Sequence, residues 1–301
     1  MKIMLVVNPS ASAVTARARV MIQNALSADH DLTVSETSRR GHATRLAQSA
    51  TVSGYEVVVS LGGDGTVNEV ANGLARTSTA LAVLPGGSTN VFARTLGFEN
   101  EPVAATKQVL DSLQRHSIKR VGLGNVNGRF FCFHVGVGFD AAVVEQVERR
   151  GQLKRWLGHP LFLFAAFDTW VRKFDRKSPP FAVTTCGVSS QGYFAIVLNT
   201  DPYTYLGSKP LSLAPSANMM NGLSVVTLKS LRLGQTVRTV VAALRKQPLS
   251  GYTNVSQSDN NLSIQVEGHR EFPWQVDGDF LGETGELLIT WEQSVLNLVV
   301  T

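Results

Sequence analysis

The chain predicts a parallel α/β domain followed by an antiparallel β domain, with the boundary at residues 122/123 (1–122 and 123–301). Three observations carry this. In the first third, short apolar runs alternate with helical stretches. Two glycine-rich turns stand directly after two of those runs. Past about Val121 the pattern changes to short alternating segments separated by Asn-Gly and Asp-Gly turns.

Lys2 to Val7 is an apolar run stopped by Asn8-Pro9-Ser10, and a helical stretch follows from about Ala13 to Ser27. Asp31 to Glu36 alternates as a strand does, and a second helix spans about Gly41 to Thr51. The β-branched run at Val57-Val58-Val59 reads as a strand buried on both faces. Gly62-Gly63-Asp64-Gly65-Thr66 comes next, then a helix over Val67 to Leu74. A further strand, Ala80 to Leu84, runs into Pro85-Gly86-Gly87-Ser88-Thr89-Asn90. The second domain is expected to hold strands at Val121–Val126, Arg129–Val135, Phe181–Cys186, Gly192–Leu198, Leu223–Leu228, Leu262–Val266 and Glu286–Val300. Helices at about Ala141–Phe174 and Gly234–Lys246 interrupt them.

At 301 residues, 44% hydrophobic and 17% charged, the chain has the makeup of a two-domain globular protein and not of a disordered one. Cys132 and Cys186 cannot build a disulfide framework and form no CxxC pair, so both are expected to be buried thiols in a reducing compartment. No apolar stretch approaches the roughly 18 residues of a membrane span, and the N-terminal apolar run is too short for a secretory leader. His42, His116, His134, His159 and His269 show no metal-ligand spacing. The net charge of +5 is concentrated: Glu145 to Lys177 holds eight cations and four acids, mixed with Trp156, Phe162, Phe164 and Trp170. Such a segment suits an anionic membrane surface. It could equally pack its apolar stripe on the β domain. No nucleic-acid partner is expected.

Glycine loops at the C-terminal ends of parallel strands let backbone N–H groups approach a phosphate, and the following helix adds its positive end. Asp64 is the odd member, since a carboxylate beside a phosphate repels it. The economical reading gives Asp64 a divalent cation to hold, or a proton to take from an attacking hydroxyl.

Several segments carry a resemblance: Asn8 to Ala11 (NPSA), Gly62 to Leu74 (GGDGTVNEVANGL), Pro85 to Gly97 (PGGSTNVFARTLG) and Gly136 to Ala141 (GVGFDA). Further on come Leu213 to Pro215 with Asn221 to Leu223, and Val276 to Asp279 (VDGD). In this order they resemble the diacylglycerol kinase catalytic-domain family, which includes bacterial lipid kinases, sphingosine kinases and ceramide kinases. The resemblance implies a phosphofructokinase-like α/β domain, a β-sandwich domain, and an active site in the cleft. It implies a cytoplasmic kinase at the inner face of the membrane that uses ATP and Mg²⁺ to phosphorylate a membrane-lipid hydroxyl, diacylglycerol first. Asn8, Gly62, Gly63, Gly65, Thr66, Ser88 and Asn90 match nucleotide-holding positions, and Lys154 resembles the family's basic residue ahead of a helical segment. Asp64 matches an aspartate assigned to metal or base work, and Asp279 stands where most bacterial members carry glutamate. Val91 and Asn221 replace aspartates of bacterial relatives. The first keeps a long-chain base in play as substrate, and the second weakens a structural Mg²⁺ site. An NAD kinase, which also uses GGDGT, and a non-catalytic nucleotide or lipid binder stay as alternatives. A homodimer is left open.

Overall fold

The computed structural model describes residues 1–149 and 178–301. The chain forms two compact units, one of Met1–Leu123 with Gln293–Thr301 and one of Gly124–Glu292.

The first unit is a parallel sheet in the order β4-β3-β1-β2, made of β1 (Lys2–Val7), β2 (Asp31–Glu36), β3 (Val57–Gly62) and β4 (Ala80–Pro85). Every residue of β3 and β4 is buried, which explains why these strands read as continuous apolar runs and not as alternation. Helix α1 (Ala16–Ser27) starts three residues later than expected because the Thr15 hydroxyl accepts from Ala18 N (3.1 Å) and caps it. Helices α2 (His42–Val52) and α3 (Asp64–Leu74) pack closely. A Cβ on Gly73 would stand 2.5 Å from the Thr44 carbonyl oxygen and 2.6 Å from Ala47 Cβ, so only glycine fits there. Glu69 of α3 caps α2, accepting from Gly41 N (2.7 Å) and Ala43 N (3.0 Å). The long GGDGTVNEVANGL run therefore serves helix packing as well as a loop. Two helices follow β4: the short α4 (Val91–Thr95), and α5 (Pro102–Gln114), whose N-cap is Glu101. The sequence reading did not place α5, although an acidic cap followed by proline at the first helical position is a start signal.

Residues 293–301 were assigned by sequence to the second domain, and here the structure differs. Strand β16 (Asp279–Val299) is 21 residues long, and its end pairs in parallel with β4, Asn297 opposite Ala80 and Leu298 opposite Leu81. Burial decides it: Val295, Leu296, Leu298 and Val299 are all enclosed, with Arg76 N donating to Val295 O at 2.7 Å.

The second unit is antiparallel. It is entered through β5 (Ile118–Val126), which pairs with β6 (Arg129–Phe131). The main order is β14-β13-β10-β7-β15-β16, from β7 (His134–Gly138), β10 (Phe194–Leu198), β13 (Leu223–Leu228), β14 (Val255–Asn261) and β15 (Ser263–Val276). The hairpin of β8 (Phe181–Thr185) and β9 (Val188–Gly192) joins β15 through β8, while β11 (Thr204–Leu206) and β12 (Lys209–Leu211) pair apart. Period-two alternation feeds two cores. Ala195 and Val197 of β10 enter a cluster with Phe181, Phe272 and Ile289, whereas Ile196 and Leu198 enter another with Val226, Ala242 and Ala243. Helix α6 covers Phe139–Arg149, and the remainder of the helix expected to reach Phe174 lies outside the described residues. Helix α7 is Leu233–Leu244. Strand β14 (VSQSDNN) lacks apolar alternation and was not anticipated, being a polar strand at the end of the sheet. Cys186 is exposed in the β8–β9 turn at φ 48°, contrary to the expectation of a buried thiol.

Candidate active site

In the first unit the strand order reverses between β1 and β3. Ligands of open parallel sheets sit at such a point, beyond the C-terminal ends of the strands. Asn8 follows β1 there, Gly62–Thr66 follow β3, and Pro85–Asn90 follow β4. The two glycine loops touch backbone to backbone. Gly86 N donates to Gly62 O at 2.7 Å. A Cβ on Gly86 would lie 2.8 Å from Gly62 Cα, and one on Gly87 2.8 Å from Gly63 Cα. Gly62 is also closed to any side chain by Thr66, whose Oγ1 would be 2.6 Å away. These glycines are thus required by loop-on-loop packing before any ligand is considered. Asn8 joins them, donating from Nδ2 to Thr66 Oγ1 (3.1 Å) and accepting Ser10 N at Oδ1 (3.0 Å). Helix α3 begins at Asp64, three residues earlier than expected, because extended Gly63 serves as its N-cap and accepts from Thr66 N and Val67 N. The start of α3 presents the positive end of the helix dipole, which favours an anion.

Asp64 ties the loops together. Its Oδ2 accepts from Val91 N and its Oδ1 from Phe92 N, both at 3.0 Å, so the carboxylate caps the start of α4. Sequence reasoning found Asp64 but not this seat, because the partners are backbone groups 27 and 28 residues away. Asn90, expected to hold nucleotide, is buried in a left-handed conformation (φ 50°, ψ 50°). Its Oδ1 accepts from Gly87 N (2.8 Å), while Nδ2 donates to Gly87 O (2.9 Å) and Asn100 Oδ1 (2.7 Å). Asn90 therefore shapes the second loop. Asn8, Gly62, Gly63, Gly65, Thr66 and exposed Ser88 gather at one end of the sheet, whereas Lys154 and the basic aromatic segment beyond Arg149 lie outside the described residues. No three His, Cys, Asp or Glu among the described residues are grouped to cage a metal. Mg²⁺ does not need such a cage: it binds through one or two carboxylates plus substrate phosphates and water, and Asp64 fits that donor set.

The second unit supplies a separate set. Residues 276–279 form a tight turn between β15 and β16, with Asp277 (φ 49°) and Gly278 (φ 85°) both left-handed, as an Asp-Gly hairpin demands. The buried Asp277 carboxylate accepts three backbone N–H groups, from Cys132 (2.7 Å), Phe133 (3.0 Å) and His134 (2.9 Å). Asp279, the candidate base, is partly exposed and paired through Oδ2 with Arg129 Nη2 at 2.8 Å. Asp140 of the GVGFDA run is buried beneath the same turn. It accepts from Tyr203 Oη and from Gln275 Nε2 (2.7 Å), and Gln275 Oε1 in turn accepts Gly278 N (2.8 Å). A Cβ on Gly136 would collide with Asp140 Oδ2. Burial pushes the Asp140 carboxyl up, partly offset by the bonds from Tyr203 and Gln275. The Tyr203 phenol is raised well above its ordinary value by burial and by facing that carboxylate. The two sequence motifs GVGFDA and VDGD are therefore one hydrogen-bonded network.

His134 lies beside this network, buried with its ring 4.9 Å from those of Phe133 and Tyr203 and its Nδ1 without a hydrogen-bond partner. Burial lowers its pKa from 6.5 to about 3. Between those values the unfolded chain binds a proton that the folded chain refuses, so stability falls as pH drops through this window. Going from pH 7 to pH 5 is expected to cost about 2 kcal/mol at this site. Asp140 and Asp201, both raised by burial, act in the opposite sense. The measurement is therefore the difference between wild type and His134→Phe in denaturant melts at the two pH values; equal pH dependence in both proteins would refute it.

The family model for the diacylglycerol kinase catalytic domain matches residues 2–126. A Bacillus subtilis (strain 168) protein named diacylglycerol kinase is 25% identical over 265 residues, 87% of this chain and 84% of that relative. A Pseudomonas aeruginosa PAO1 protein named "Probable lipid kinase YegS-like" is 37% identical over 138 residues, 45% of this chain and 43% of its own. Among solved structures, one named a diacylglycerol kinase from Bacillus anthracis str. Sterne covers 100% of this chain and 97% of its own, with TM-score 0.74 at 23% identity. An Archaeoglobus fulgidus NAD kinase in complex with ATP shares the fold alone, with TM-score 0.56 at 13% identity over 99% of this chain and 93% of its own. The catalytic-domain match lies on the strands and loops that assemble the Asp64 site, so residues 2–126 resemble the diacylglycerol kinase catalytic domain and the chain is similar to lipid kinases.

Proposed function

We propose that the chain transfers the γ-phosphate of MgATP to the free hydroxyl of diacylglycerol, giving phosphatidic acid and ADP. The observation that carries this is the seat of Asp64: a carboxylate fixed by two backbone N–H groups where two glycine loops meet, beside the N-terminus of α3. The backbone of those loops and Asn8 position the triphosphate. Asp64 is the residue that would hold Mg²⁺, which when bound neutralises charge on the β- and γ-phosphates. The lipid hydroxyl oxygen forms the new bond to γ-phosphorus in line with the departing β-phosphate oxygen. Its proton passes to a carboxylate, Asp64 or Asp279.

Diacylglycerol as acceptor is supported by the name of the Bacillus subtilis relative, which aligns over most of the chain. Val91 had kept a long-chain base in play. The group used at position 91 is the backbone N–H, held by Asp64, so lack of an acid there leaves the loop intact. No described helix is long and apolar enough to cross a membrane, which fits a kinase that reaches its lipid from the cytoplasmic face. The test is radiolabelled ATP with diacylglycerol, monoacylglycerol, sphingosine, ceramide and NAD⁺, resolved by product. Labelled phosphatidic acid is expected; label confined to a long-chain-base or NAD⁺ product would overturn the acceptor.

A further inference from the structure

Helix α7 has its apolar residues on the wrong side for a helix in water. The face it packs into the protein is built from small residues, Thr239, Ala242 and Ala243. Four of its five larger apolar residues point away, Leu233 being 59% exposed, Val237 51%, Val240 42% and Val241 39%, while Leu244 is half-buried. Their spacing, i, i+4, i+7 and i+8, places them in one stripe. Folding that leaves branched side chains in solvent and buries alanines marks an interaction surface and not a simple core helix.

The charges around the stripe identify its partner. From Pro202 to Ser258 the sequence contains no aspartate or glutamate, and six cations: Lys209, Lys229, Arg232, Arg238, Arg245 and Lys246. That excess of six exceeds the +5 of the whole chain. Arg232 stands at the N-cap of α7, Arg238 on the helix and Arg245 at its C-cap, all exposed. Lys246 is drawn toward Asp201 and is left out of the set. An apolar stripe bordered by cations without acids is complementary to the headgroup layer of an anionic bilayer. A second copy of the chain is a poor occupant, because it would set the same cations against one another.

We infer that α7 lies on the anionic membrane, its Leu233–Val237–Val240–Val241 stripe entering the headgroup boundary while Arg232, Arg238 and Arg245 contact lipid phosphates. The lipid-kinase reading gives this surface its purpose, which is to hold the enzyme at the bilayer that contains its acceptor.

The test is co-sedimentation of the full chain with vesicles of phosphatidylcholine mixed with phosphatidylglycerol, and with phosphatidylcholine alone. Wild type is expected on the anionic vesicles, with partitioning weakened by salt. Arg238→Gln with Arg245→Gln should lower partitioning about 25-fold, from about fivefold per cation. Val237→Asp with Val241→Asp should lower it at least as far. Both double variants change only exposed side chains. They should retain wild-type turnover of a short-chain diacylglycerol dispersed as monomers and lose turnover of vesicle-borne diacylglycerol. Double variants that sediment as wild type does would overturn the inference. So would a wild-type dimer in analytical ultracentrifugation that Val237→Asp with Val241→Asp splits without changing vesicle binding. If wild type binds anionic vesicles through α7 but phosphorylates no diacylglycerol, the surface stands and the acceptor assignment falls.

Discussion

Asp64→Asn is expected to lower kcat by about 10²- to 10⁴-fold, the usual cost of losing a group that handles a proton or a charge in the transition state. The structure adds a second reason for a large effect. Both carboxylate oxygens accept backbone N–H groups, at Val91 and Phe92. An asparagine can satisfy one of them with its carbonyl, but its NH₂ then faces the other as donor against donor. The start of α4 must shift, and the second glycine loop, bonded to it through Asn90, must follow. Loss of a helix cap of this kind costs about 0.5–2 kcal/mol, too little to unfold the protein. Asp64→Asn should therefore remain folded by circular dichroism, with ATP affinity weakened in calorimetry and turnover nearly gone. A folded variant with near-wild-type kcat would rule out Asp64 as the working acid of the site.

The second large effect concerns stability. Asp277 and Asp279 stand two residues apart in one hairpin, and the sequence reading singled out only the latter as functional. Asp277 is 5% exposed and its carboxylate holds three successive backbone N–H groups of 132–134. Asp277→Ala strands those three donors in the interior. The expected loss is about 3–5 kcal/mol, since truncating a buried charged acceptor leaves its partners unpaired. For a chain of this size that corresponds to about 5–8 °C in Tm. Asp279, partly exposed and ion-paired to Arg129, should behave oppositely. A pair at this exposure contributes about 0–1 kcal/mol, so Asp279→Asn should keep its Tm while turnover falls. Thermal melts and kinetics of the two variants side by side decide the matter; an Asp277→Ala protein that melts with wild type would show the clamp to be dispensable.

What the sequence made legible follows from the range of the interactions involved. Strands β1, β3 and β4 and the loops after them are local features: an apolar run, a glycine turn, a helix. They fell where expected to within a few residues. The pairing of Asp64 with Val91 and Phe92, and of Asp277 with 132–134, depends on backbone donors, which carry no residue signature, brought together across 27 to 145 positions. The bonds of Asn90 to Gly87 and Asn100 were hidden for the same reason: an asparagine in a glycine loop does not announce which groups its amide holds. Strand β14 was hidden by its polar composition. The surface on α7 was overlooked because a helical apolar period does not reveal which face is turned inward. There the alanines won the interior, a choice made by tertiary packing and not by the helical period.

The return of the last nine residues to the first unit has a consequence for how the chain is made. Synthesis is vectorial, and the ribosome releases the GGDGT and PGGSTN loops long before residue 293 leaves the exit tunnel. Until then the outer side of β4 has no neighbour in its own unit, and Ser117, whose carbonyl accepts Val300 N, lacks that partner. An unpaired strand margin is a template for pairing with other nascent chains. The unit that carries the glycine loops is thus translated ahead of the segment that closes it.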